Sequence, residues 1–549
     1  MKQIIMQRIL LMSAAATLAA TASLAQAPRF DISRIARDVQ ILSSDAFEGR
    51  APATPGEIKT VDHIVAQMKA AGLEPGNKGS WTQDVPLLKS DIVGSPDLKL
   101  TVDGKARKLT QGEEIAVRAA MTGQSDVRIE DAPLVFVGYG VKAPERGWDD
   151  YKGADLKGKI MVVLVNDPDF EGGEGSFGGK AMTYYGRWTY KYEEGARQGA
   201  AGVLVIHEYE PASYGWPTVK NSNTNTMFDI VRQDPRAAHT PVEAWIQREV
   251  AADLFKASGT SFEAMKAAAK RKNFRPVPLK ATLSAAYQVR PETIVSRNVV
   301  GMLPGKTRPN ETVIYSGHWD HLGVGEPDAR GDRIYNGARD NASGIAMILE
   351  LARAFKAAPR TDRSIAFLAV TAEEKGLLGS TYYASNPVFP LATTAGVLNM
   401  DSTIGSGAAR DFTISGTAKL GLLDRLVDEG RKLGRRYTPD PRVEAGGFYR
   451  SDHFPFAKAG VPAISFGTGR DLVNGGEARG KALADAYTKE RYHQPADEWS
   501  ADWDMSSVTP DMTLLYNVGR ELANSRDWPE WSADSEFQAA REASKAQRR

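Results

Sequence analysis

His318 and Asp320 stand two residues apart just after an apolar run (Val313, Ile314), and Asp340 follows where a helix is expected to begin. Glu373 and Glu374, then Asp401, each come shortly after further apolar stretches, and His493 lies later still. The chain has no cysteine, so any metal must rest on imidazole and carboxylate. A metal-bound histidine needs its second ring nitrogen held, and Asp320 is placed to hold that of His318. A carboxylate such as Asp340 can bridge two cations about 3.5–4 Å apart. Adjacent glutamates diverge in most backbone conformations, so one can bind metal while the other takes a proton from water. Together these positions predict a pair of metal ions that splits amide bonds.

Each position also has a plainer reading. His-x-Asp pairs are common on surfaces, and Asp340 suits a helix N-cap. Glu373 and Glu374 suit the start of a helix over residues 375–383. His493 alone reads as structural or solvent-facing, and His321 as wall or support. The grouping favours metal. Four of the seven histidines fall between 318 and 493, and the acids sit at the C-terminal ends of predicted strands, where α/β sheets gather ligands. An acid at a near-buried strand end, as Asp401 would be, is seldom left unpaired.

The elements that must position these residues alternate. Strands are predicted at 364–370, 397–400 and 463–466, with a strand before His318. Helices are predicted after Asp340 (Ile345, Ile348, Leu349, Ala352, Phe355), near 420–433 and near 512–522. This predicts an α/β fold, a mostly parallel central sheet covered by helices on both faces. Upstream, Thr54-Pro55-Gly56-Glu57 is a capping-box pattern before Ile58, Val61, Ile64, Val65 and Met68 at helical spacing. From residue 131 the texture changes. VFVGYG (135–140), KGKIMVVLVND (157–167) and AGVLVIHE (201–208) read as buried strands of a second, smaller α/β unit. No chemistry is visible in it, and the lone His207 reads as structural.

The order His-x-Asp, Asp-Asn-Ala-Ser-Gly (340–344), Glu-Glu, Asp, Ser-Asp-His (451–453) and a late Tyr-His resembles metallopeptidase family 28. That family includes bacterial di-zinc aminopeptidases and the glutamate carboxypeptidase. Trp148, Asp150, Tyr151 and Gly199-Ala-Ala-Gly202 resemble the protease-associated (PA) domain often inserted into such enzymes. The resemblance implies two zinc ions, His318 and Asp401 holding one, Glu374 and His493 the other, and Asp340 bridging. It makes Glu373 the general base, Asp320 the support of His318, and the peptide after Asp340 cis. Tyr449 resembles the hydroxyl that steadies the oxyanion, and Arg450, Asp452 and His453 are expected to line the substrate site. The implied domains are a signal peptide (1–25), the N-terminal part of the peptidase (26–130), the inserted PA domain (131–290), the main peptidase (291–525) and a charged tail (526–549).

The function expected is an exported zinc aminopeptidase that hydrolyses N-terminal residues from peptides, with hydroxide as nucleophile and Glu373 taking the proton. A carboxypeptidase of the same fold is the alternative, with Arg450 as a cation for a terminal carboxylate. A non-catalytic PA-domain binding protein and a single-zinc glutaminyl cyclase are further readings. Composition is ordinary for a globular chain of 549 residues, and a formal charge of +1 offers no basic footprint for nucleic acid. Lys2 and Arg8 precede an apolar stretch, Ile9 to Ala20, too short to stay in a bilayer. It ends in small-x-small patterns, with cleavage expected after Ala25. The destination is periplasmic or secreted, and no oligomeric state is implied.

Overall fold

The computed structural model describes residues 28–548 apart from Glu326. The expected signal peptide lies outside the described residues. Chain order introduces the elements that matter here: α1 (Ile32–Leu42), α2 (Pro55–Ala70), β1 (Thr82–Val102), β2 (Asp126–Phe136), β3 (Ile160–Leu164), β4 (Gly202–His207), β5 (Val242–Gln247), β6 (Val277–Leu303), β7 (Arg308–His318), α3 (Ser343–Ala357), β8 (Arg363–Val370), α4 (Leu378–Ser385), β9 (Thr394–Met400), β10 (Asp411–Ile414), α5 (Gly421–Lys432), α6 (His453–Lys458), β11 (Ala463–Thr468), α7 (Gly476–Glu490) and α8 (Val508–Asn524).

One long sheet carries the chain, in the order β10–β11–β9–β7–β8–β6–β2–β3–β4–β5 along its main path. In its first half β8, β7, β9 and β11 run parallel to one another. Every residue of β8 and β9 is buried, as expected where helices cover both faces of a parallel sheet. α1, α2, α3 and α8 contribute to that core, with Val39, Ile64, Ile348 and Leu515 fully enclosed. α2 begins at Pro55 as its sequence predicts, but Ile58 faces solvent at 58% exposure. Glu57 does not complete the capping box at Thr54. Its carboxylate takes the N–H of Ala53 and the hydroxyl of Ser296, which ties the helix to β6.

β6 runs 27 residues and serves both halves. Its C-terminal end pairs with β8, while its earlier residues pair with β2 and, antiparallel over most of its length, with β1. The two form a ribbon between the main core and a second core built on β2–β5. That second core takes in Leu98, Leu100, Leu109, Ile115 and Val117, well before the boundary expected at 131. The reason is the ribbon: β1 packs Val85 and Leu87 with Ala372 and Leu378, then carries Leu98 and Leu100 into the second core, which short alternating segments do not reveal.

Two further departures concern the C-terminal half. α7 has no counterpart among the predicted elements, because only Gly480 of it is buried and it shows no apolar stripe. The charged stretch after residue 525, expected as a tail, packs onto the main core. Trp531, Phe537 and Arg541 are buried, and Arg541 donates to the carbonyls of Thr394 and Pro529. Two aromatic anchors outweigh the surrounding charge. Among the described residues, no helix is long and apolar enough to cross a membrane.

Candidate metal centre

Three neighbouring strands end at the same edge and deliver the acids and the first histidine. His318 closes β7, Glu373 and Glu374 follow β8 by a short turn, and Asp401 follows β9 directly. Parallel register (His318 beside Val370, Ser316 beside Asn399) places these ends side by side. Asp340 lies in the loop entering α3, and His493 arrives after α7.

The six converge. Asp340 Oδ1 lies 3.2 Å from His318 Nε2, and Asp340 Oδ2 lies 3.3 Å from His493 Nε2. Asp401 Oδ1 is 3.5 Å from His318 Nε2, and Glu374 Oε2 is 3.0 Å from His493 Nε2. Four donors at about 2.0–2.1 Å around one zinc stand about 3.3 Å apart, so these separations fit two ligand sets that share Asp340. His318 Nε2 is also buried with no hydrogen-bond partner, an orphan that a cation would satisfy. Glu373 joins His318 and Asp401 in a second close group.

Neither plain reading of the acids survives. Asp340 is not the N-cap of α3, which starts at Ser343 behind Ala342. Glu373 and Glu374 precede α4 by several residues. The Asp340–Asn341 peptide is cis, as the resemblance implies. Gly344 allows the close turn that follows, because a Cβ there would lie 2.4 Å from Asn341 Oδ1 and 2.5 Å from the Met400 carbonyl.

Electrostatics follow from crowding. Burial works against a charged His318, yet Glu373, Asp340 and Asp401 outweigh it and push the ring well above the ordinary histidine range. Burial likewise opposes His493, and Glu374 with Asp340 carries it up to about 10. Glu373 is raised well above the usual carboxylate range, first by burial, then by Glu374, Asp452 and Asp401. Glu374 moves the other way, since His493 and His321 outweigh its burial. Neighbouring carboxylates driven apart in this way suit one ligand and one proton acceptor.

Several supports differ from expectation. His318 Nδ1 meets the backbone carbonyl of Asp320 at 3.1 Å, while the Asp320 carboxylate is 3.9 Å away. That carboxylate instead accepts the N–H groups of Glu373 (3.0 Å) and Glu374 (3.4 Å), and burial raises it to about 7. A carboxylate at the strand end reaches the adjacent turn more readily than back to its own ring. Tyr449 turns away from the cluster. Its hydroxyl donates to Glu536 Oε1 at 3.0 Å, because the C-terminal segment supplies an acceptor there. Asp452 and His453 are fully buried and cannot touch substrate. Asp452 accepts from Ser380 Oγ at 2.6 Å, and His453, set edge-on to Phe448, is pushed down to about 3 by burial. Both are enclosed because α6 starts at His453 and packs against α4 and β11. Arg450, by contrast, is exposed.

Sequence reasoning assigned no role to Arg50, Ser451 and Asp497, which shape the site, and read His321 as wall or support. Arg50 is buried and donates to the carbonyls of Leu42, Trp319, Asn336 and Gly337, lashing together the loops that follow His318 and precede Asp340. His321 Nδ1 lies 2.6 Å from Glu374 Oε1. Ser451 donates to Asp401 Oδ2 at 2.8 Å and takes a hydrogen bond from Asn399. Asp497 accepts the N–H groups of Arg339 and Asp340. Of these, only Ser451 stands in a motif the sequence offered, Ser-Asp-His at 451–453. His207, read as structural, meets the Tyr214 carbonyl through Nε2 at 2.9 Å.

Fold and donor set together define an α/β metalloprotein with its site at the strand ends. Residues 298–516 match the model of Peptidase family M28, so the chain carries a domain of that family. A probable zinc metalloprotease of Pyricularia oryzae is 38% identical over 117 residues, 21% of this chain and 23% of that protein. Aminopeptidase YwaD of Bacillus subtilis is 28% identical over 174 residues, 31% of this chain and 35% of that protein. The chain thus spans about a quarter to a third of these relatives' length. The solved aminopeptidase from Aneurinibacillus sp. strain AM-1 shares the fold, with a TM-score of 0.51 at 20% identity over 91% of this chain and 96% of that one.

Proposed function

We propose that the protein is an exported zinc aminopeptidase that removes N-terminal residues from peptides and holds two zinc ions per chain. The observation that carries this reading is Asp340, whose two oxygens face His318 and His493. His318 and Asp401 would hold one ion, Glu374 and His493 the other, with Asp340 between them. Zinc in such a site polarises a carbonyl and makes water a nucleophile near neutral pH. Glu373, raised by its surroundings and free of metal duty, accepts the proton as water attacks the scissile carbonyl and delivers it to the departing amine. Asp320 fixes the glutamate turn through both amide N–H groups, His321 Nδ1 stands 2.6 Å from the far oxygen of Glu374, and Ser451 holds that of Asp401. The second unit is of the protease-associated kind, and Lys2, Arg8 and the apolar stretch after them direct export.

The test joins metal content to substrate choice. Protein purified without added metal should hold two equivalents of zinc, and Asp340→Asn should lose most of both. Free peptides should be cut from the N-terminus and N-acetylated ones spared. Less than one equivalent of zinc, or cleavage of blocked peptides from the C-terminus, would rule the reading out.

A further inference from the structure

The helix α7 is long for an element with so little to hold it down. It runs 15 residues, only Gly480 of it is buried, and among the described residues no member of it enters an apolar core. An isolated helix of about 15 residues is marginal in water, so α7 persists through contacts near its two ends. Its N-terminal root is fixed. Leu472 is buried, and Val473 N–H donates to the Ala408 carbonyl at 2.8 Å. Gly480 then passes so close to the preceding loop that a Cβ there would collide with the Arg470 carbonyl.

The other end is fastened at the metal cluster. The Tyr487 hydroxyl donates to Asp497 Oδ2 at 3.3 Å, and its ring centre lies 4.4 Å from the Arg339 guanidinium. Asp497 in turn accepts the N–H of Asp340 at 3.0 Å. Beyond the helix, Tyr492 stacks on His493 with ring centres 3.9 Å apart, and His493 Nε2 faces Glu374 and Asp340.

His493 is also the open side of the cluster. Its side chain is 36% exposed, against 1% for His318, 2% for Glu374, 5% for Asp340 and 20% for Asp401. Those four are set by strand ends and by a loop leading into the buried helix α3, whereas His493 hangs from a helix that no core holds. An element with few buried contacts opens at low free energy. An ion that joins its end to two enclosed carboxylates closes it again.

We infer that residues 476–493 form a strap across the metal centre, closed by the ion at Glu374 and His493 and lifted when that ion leaves, with Tyr487 and Gly480 as positioning residues. The inference rests on the metal-binding part of the proposed function. The ion at His318 and Asp401 rests on strand ends and stays when the strap lifts. Closing of the strap by the ion and retention of the ion by the strap are one coupling, so the same factor appears in both.

The experiment follows amide hydrogen exchange of the full chain by mass spectrometry, zinc-loaded and after chelation, beside a chelator titration of the zinc itself. Removing zinc should speed exchange across 476–490 by roughly tenfold or more while β8 and β9 keep their protection. The titration should show two steps, and His493→Ala should abolish the weaker one and free the helix. Tyr487→Phe keeps the stacked ring and should weaken that step several-fold. Tyr487→Ala and Gly480→Ala should weaken it by roughly 10–100-fold with the tighter step unmoved. Gly480 touches no ligand, so a purely structural role would lower the melting temperature without shifting one zinc step alone. Exchange across 476–490 that is indifferent to zinc in the unaltered protein overturns the inference, as does zinc affinity untouched by Tyr487→Ala and Gly480→Ala. Binding of less than one equivalent of zinc overturns the metal reading itself, and the inference with it.

Discussion

Glu373 and Glu374 show how one residue's displacement along the backbone sets its role. Glu374 is drawn to His493 and His321 and stays ionised, whereas Glu373 faces other carboxylates and holds a proton readily. Glu373→Gln keeps the shape and removes the acceptor. It should lower kcat by about 10²–10⁴ or more while zinc content stays at the unaltered level. Persistent activity in that variant, with metal bound, would mean that another group takes the proton. The sequence indicated that the two acids divide the work, and resemblance suggested which does which. Tyr449 went the other way. Its hydroxyl is claimed by Glu536, a residue 87 positions on, and no local pattern reports such a contact.

At the scale of elements, the site is held by loops tied from below. Arg50 is 1% exposed and gathers four backbone carbonyls, two of them from the loop before Asp340. Arg50→Met strands those carbonyls and frees the loops. Zinc affinity should drop by 10–100-fold, as when other outer supports of metal ligands are removed, and a chelator competition would measure it. Unchanged affinity would reduce Arg50 to a packing residue. A second tie lies in the smaller core, where His239 sits between Asp229 (2.9 Å) and Glu243 (2.9 Å). Asp229 belongs to the strand Met227–Ile230, which pairs with β1, so this cluster joins the ribbon to the second core. Burial opposes the charged ring, but the two acids raise it from the ordinary 6.5 to about 9. Because the folded value is the higher, the stabilisation is complete below about pH 6.5 and lost as pH rises through 9. It amounts to on the order of 3 kcal/mol. Thermal unfolding followed from pH 6 to 10 should show this loss, and His239→Gln should flatten it. An identical pH profile in the variant would count against the cluster.

The whole molecule depends on its last residues more than their charge suggests. Trp531 and Phe537 enter the main core, and Glu536 reaches the wall of the site. Removing residues 526–549 takes both aromatics away and bares the core surface they cover, at a cost of roughly 3–6 kcal/mol. The melting temperature should fall by roughly 3–6 °C, and calorimetry on the truncated chain would show it. A truncated chain that melts at the same temperature would contradict the packing described. The two cores meet along the ribbon of β1 and β6.

Much of the fold was legible because its signals are local. Apolar runs mark β8, β9 and β11, the apolar periodicity after Asp340 marks α3, and acids just past strand ends mark His318, Glu373, Glu374 and Asp401 as neighbours in a parallel sheet. What lay outside local pattern was decided by packing across long separations. Arg50 reaches residues 269 to 287 positions away, and Asp497 reaches back 157 to Asp340. The same holds for the enclosure of Asp452 and His453 and for the exposed helix α7. Residue type and spacing establish which side chains can bind a cation; only the folded chain establishes which acceptors each one finds, because hydrogen bonds and burial depend on what arrives from elsewhere.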